Sequence, residues 1–110
     1  MKKTGKPVLI ITTVPNYEAG KKIAHVLVEE HLVACVNIIG QVDSVYSWKD
    51  EICEDKEYIL FMKTISAKQS KVFKRIKQLH SYEVPELVMI EIKEIGEDYF
   101  NWMKKWINGK

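Results

Sequence analysis

His80, Ser81, Tyr82, Glu83, Val84, Pro85 and Glu86 set an imidazole, a phenol, two carboxylates and a proline within seven residues, where a basic helix gives way to an apolar strand. The imidazole can change charge or ligate a metal near neutral pH. In the last turn of a helix it is also favoured, when protonated, by the negative helix end, so a structural role competes with a ligand role. Pro85 disfavours helical backbone at Val84 and so fixes where the helix has stopped. Tyr82, Glu83 and Glu86 add donors and acceptors, and Lys63 with Glu57 reaches the same region if the hairpin of an adjacent subunit passes over it. A polar pocket at a subunit junction follows from that placement. The alternative is a connector whose tyrosine packs on the sheet edge and whose carboxylates are solvated; spacing leaves both open.

The remaining candidates are weaker. His25 and His31 sit at helical positions without a ligand neighbour and read as surface or helix-end side chains. Cys35, in the apolar run Val33 to Ile39, reads as a small buried hydrophobe, whereas Cys53, among Glu51, Glu54 and Asp55, reads as accessible. Neither has the surroundings of a catalytic thiolate. Copper and zinc accept thiolate and imidazole together, so a soft-metal site through either sulfur stays open. The chain has no glycine-rich phosphate loop, no nucleophile elbow, no adjacent pair of histidines and a single arginine, Arg75, so it is not expected to be an enzyme.

The elements that position these groups follow from periodicity. Val8 to Val14, between Pro7 and Pro15, is a β-branched run that predicts a central strand covered on both faces. Asn16 stands where a helix N-cap belongs, and Ala19, Ile23, Val26 and Leu27 recur at helical spacing, predicting a helix to about His31. Val33 to Ile39 and Val42 to Trp48 predict one strand bent at Gly40. Lys49 to Glu51 predicts a turn, and Ile52 to Thr64 a returning strand with Glu57, Ile59, Phe61 and Lys63 on one face. Ser66 with Gln69 predicts a capping box for a helix whose stripe is Val72, Phe73, Ile76 and Leu79. Leu87 to Ile92 predicts a fourth strand, and Tyr99, Trp102, Met103 and Trp106 the buried stripe of a terminal helix.

That order, βαββαβ with a further C-terminal helix, predicts an α+β, ferredoxin-like antiparallel sheet in one domain over residues 1–110, with an unusually long hairpin between its second and third strands. Tyr46, Trp48, Ile52 and Tyr58 lie on the outer half of that hairpin, beyond the reach of one small core, so the arm needs a partner. The first strand offers no aromatic residue on which bases could stack, and a net charge of +2 gives no field for a polyanion, so nucleic acid is not expected as a partner. No apolar run is long enough to span a bilayer or to form a signal-peptide core, and two cysteines are too few for a disulfide scaffold; a cytoplasmic setting is expected.

Taken in order, Ala34-Cys35-Val36-Asn37-Ile38, Ser44-Val45-Tyr46-Ser47-Trp48, Lys63-Thr64, His80 to Glu86 and Tyr99-Phe100-Asn101-Trp102 resemble, in spacing, the divalent-cation tolerance proteins called CutA. The resemblance implies a homotrimer built through the long hairpins, similar to the PII signalling proteins, and a part in tolerance to divalent metals, copper above all. Some family members bind copper through a cysteine near the end of the first strand and two adjacent histidines. Thr12 and Leu79 stand at the cysteine and at the first histidine, so the resemblance carries metal binding, of copper or zinc, to His80 alone. It places Trp48, Lys63, Tyr82, Pro85 and Glu86 in the cleft between subunits, beside Glu57. A PII-like sensor, in which Lys63, Tyr82 and Glu86 bind an anionic metabolite, is the alternative.

Overall fold

The computed structural model describes residues 5–109. Strand β1, Pro7–Val14, alternates half-buried and buried side chains, with Val8, Ile10, Thr12 and Val14 on the buried face. It pairs antiparallel with β3 on one side and β4 on the other, which makes it central as expected. Helix α1, Tyr17–Glu29, starts where the Asn16 side chain accepts a hydrogen bond from Ala19 N at 2.8 Å. It stops before His31, whose φ of 61° turns the chain out of the helix.

Strands β2, Cys35–Trp48, and β3, Glu51–Ile65, form the long hairpin. Lys49 and Asp50 both take positive φ, 52° and 67°, the mirror-image turn whose twist suits a two-residue hairpin. The register slips between Ile39 and Val42. A Cβ on Gly40 would stand 1.9 Å from a ring carbon of Tyr58, so only glycine lets that ring cross the bend. Tyr58, expected out on the arm, is instead half-buried against the main core and meets the Tyr17 ring at a tilt of 52°, 5.8 Å between centroids. The rest of the arm does project: Val45 is 66% and Ile52 85% exposed. The molecule measures 45 × 25 × 22 Å with a radius of gyration of 14.6 Å, against about 13 Å for a compact chain of this length.

A 3-10 turn, Ser66–Lys68, leads into α2, Gln69–Leu79, whose N-cap residue is Lys68. Val72 and Ile76 of α2 join Ile23 and Leu27 of α1 over Val8, Ile10, Leu60 and Met62 of the sheet. Strand β4, Val88–Glu91, is shorter than predicted and exposed at every position. The sheet order β2-β3-β1-β4, antiparallel throughout with both long helices on one face, is the ferredoxin-like arrangement.

Helix α3, Glu97–Ile107, corrects the predicted stripe. Met103 and Ile107 are its buried residues, closing a second small core with Ala34 and Ile65, while Tyr99, Trp102 and Trp106 stay 39%, 51% and 39% exposed. Trp106 has a separate task. Its indole donates to Val28 O at 2.9 Å, and its ring stacks on His31 at 3.9 Å between centroids. His31 Nδ1 in turn donates to Trp106 O at 2.6 Å, so this histidine ties α3 to the end of α1.

Candidate functional site

Alternation along the hairpin puts Tyr46 and Trp48 of β2 on the same face as Asp55 and Glu57 of β3, because Ser44 pairs with Asp55, Tyr46 with Cys53 and Val42 with Glu57. That face turns toward the connector that follows α2. Together they enclose a cleft of about 830 Å³ whose lining includes Tyr46, Trp48, Glu57, Tyr82, Pro85 and Glu86. One chain therefore supplies both walls of what the sequence and the resemblance place between subunits.

Glu57 is the buried element of the cleft, 7% exposed. The Tyr82 hydroxyl donates to its Oε2 at 2.6 Å, while its other oxygen has no donor among the described residues. Burial, and then the bond to Glu57, push the Tyr82 phenol well above the usual tyrosine range. Glu86 is exposed as a residue, yet its carboxyl is shifted upward, first by its partial burial and then by the negative charge of Glu57. At the rim, Tyr46 donates to Asp55 Oδ2, and that bond raises the phenol to about 12. The alternation of the two strands is the signal in the sequence that places Tyr46 and Asp55 on this face.

His80 ends α2 in extended backbone at its C-cap. Its Nδ1 lies 3.1 Å from Tyr82 N, an obligate donor, and its Nε2 lies 2.7 Å from Thr13 O, an obligate acceptor. The two partners fix the neutral ring with its proton on Nε2. Both nitrogens are thereby used, and no lone pair faces outward. The metal role given to His80 is corrected on this geometry: the ring pins the connector to β1 and so sets the position of Tyr82, 4.6 Å away between centroids.

Lys63 does not join the cleft of its own chain. It stands opposite Leu9 and Cys35, toward the far end of β3, with its ammonium 5.6 Å above the Tyr99 ring. Cys35 and Cys53 are both free and half-buried, so Cys35 is more open than the buried hydrophobe expected and Cys53 only partly accessible; the Cys35 thiol is 3.9 Å from Asn37 Oδ1. Thr12, at the family's cysteine position, points fully buried into the core under the helices, and its hydroxyl has no hydrogen-bond partner. Among the described residues no three histidine, cysteine, aspartate or glutamate side chains stand together as a metal-holding group. The side-chain ligands that the cleft does offer are oxygens, among them the carboxylates of Glu57, Glu83 and Glu86 and the phenol of Tyr82. Such donors suit a hard divalent cation better than a soft one.

Comparison with known proteins agrees with this fold. The family model described as CutA1 divalent ion tolerance protein matches residues 8–106. A protein of Thermus thermophilus named divalent-cation tolerance protein CutA is 41% identical over 97 residues, 88% of this chain and 94% of that protein. The chloroplastic CutA protein of Arabidopsis thaliana is 37% identical over 93% of this chain, which spans only 56% of that longer protein. Among solved structures, CutA1 from Oryza sativa superimposes with a TM-score of 0.90 at 35% identity, covering 96% of each chain.

Proposed function

This chain belongs to the CutA1 divalent ion tolerance family, and from that premise we propose that it is a non-enzymatic, cytoplasmic homotrimer that binds a divalent cation at the cleft through Glu57 and Glu86. The observation that carries the reading is the pairing of a carboxylate 93% withdrawn from solvent with a second one whose ionisation it opposes. A cation beside both relieves that repulsion. One chain provides too few ligands for a closed site, so water or a neighbouring chain completes the shell, as hard cations readily allow. Trimer assembly draws support from the apolar arm and from the exposed strand β4.

Calorimetric titration of divalent manganese, zinc and copper into wild type, Glu86→Gln and His80→Ala tests this. Removing the Glu86 charge is expected to weaken binding of the hard ions by about tenfold or more, a loss near 1.4 kcal/mol. His80→Ala is expected to change affinity much less. Equal affinities in wild type and Glu86→Gln would discard the cleft as the site.

No lysine or arginine of the same chain lines the cleft among the described residues, so a sensor of an anionic metabolite would need Lys63 from a neighbouring chain. A sensor of this geometry would respond to positive charge.

A further inference from the structure

A bare ion explains the carboxylates of the cleft but not its volume or its aromatic residues. Space of about 830 Å³ lies between Tyr46 and Trp48 on one side and Tyr82, Val84 and Pro85 on the other. Within one chain Trp48 is 40% and Tyr46 41% exposed, which leaves apolar ring surface open in a cleft whose charged lining residues are all acidic. Glu57 is more than nine-tenths buried and keeps one oxygen without a protein donor while Tyr82 holds the other. The Trp48 ring also has an ammonium near it already: Lys49 Nζ lies 5.7 Å from its centroid. Aromatic faces beside carboxylates recognise organic cations, because the ring quadrupole attracts the charge and the carboxylate accepts its N–H donors.

We propose that the cleft takes a small organic cation bearing an ammonium or guanidinium group, with the charged head on Glu57 and Glu86 and the alkyl part against Trp48 and Tyr46. This deepens the cation-binding reading of the same cleft and rests on it for the role of the carboxylates. Lys49 competes for the Trp48 face and thereby limits affinity.

The test is titration of agmatine and spermidine, with chelator present, into wild type, Trp48→Ala, Trp48→Phe and Lys49→Gln, and of manganese without chelator into the same proteins. Binding of at least one amine is expected, weakened about tenfold or more in Trp48→Ala, retained in Trp48→Phe and tightened in Lys49→Gln. Manganese binding is expected to be the same in wild type and Trp48→Ala. Absence of amine binding, or amine affinity unaltered in Trp48→Ala, overturns the proposal. Amine binding intact with no manganese binding removes the metal reading alone. Near-ultraviolet circular dichroism and sedimentation of each variant establish that the arm is folded and that the variant assembles as wild type does.

Discussion

Thr12 brings a hydroxyl into a place built for hydrocarbon. The side chain is wholly buried and its oxygen has no partner, and a buried hydroxyl left unpaired costs about 1–3 kcal/mol. Thr12→Val keeps the shape and removes the oxygen, so the urea midpoint should rise by the equivalent of about 1 kcal/mol. A lowered midpoint would mean that the hydroxyl is satisfied in solution. Glu86 presents the opposite case, a charge that the fold resists. Its folded-state pKa is raised by burial and by Glu57, so the fold favours the protonated acid. That contribution is complete below the unfolded pKa and is lost as pH rises through the folded one. Glu86→Gln, neutral at every pH, should therefore be more stable than wild type at about pH 7 and equal to it at about pH 3, in chelator and at fixed protein concentration. That Glu86 lines a polar cleft was legible from the density of polar groups around Pro85. The engagement of both His80 nitrogens was not, because Thr13 O is brought to the ring by packing from 67 residues away in sequence.

The hairpin shows what local pattern can and cannot fix. Alternation from Val42 to Trp48 and a glycine at position 40 were enough to predict a bent strand, since glycine inside a strand marks a bulge or a close approach. Which of the two it is depends on Tyr58, whose ring fills the space that a Cβ would need. Gly40→Ala should therefore destabilise the protein by more than the roughly 1 kcal/mol typical of a substitution, and Tyr58→Leu should recover part of that loss in the double variant. Additive losses in chemical denaturation would remove the ring as the cause. Helix α3 shows the limit. Tyr99, Trp102, Met103 and Trp106 form one apolar stripe, and Phe100, Met103 and Ile107 form another on the same helix. The small surface offered by Ala34 and Ile65 accepts the second. Composition favoured the stripe with two tryptophans; only the receiving surface decides, and that surface is assembled from distant strands. The start of α2 was set in a related way: the chain leaving β3 tightens into a 3-10 turn, and the helix starts three residues past the serine.

At the scale of the whole molecule the chain looks like one part of an assembly. Val88 and Ile90 are 41% and 48% exposed on the edge strand β4, and they share the sheet face of Leu9 and Ile11, away from both long helices. An edge strand with exposed aliphatic residues is a template for another chain, and monomers usually protect it with charge. This one carries its only charge at Glu91. Within a single chain Ile90→Lys costs little, because the position already faces water. In a trimer that covers this face the same change buries an unpaired ammonium, which the interface cannot tolerate. Wild type is therefore expected to sediment as a trimer at micromolar concentration, with a thermal midpoint that rises with protein concentration. Ile90→Lys is expected to sediment as a smaller species whose midpoint is lower and independent of concentration. If Ile90→Lys assembles like wild type, β4 is not the contact, and the long hairpin alone must hold the subunits together.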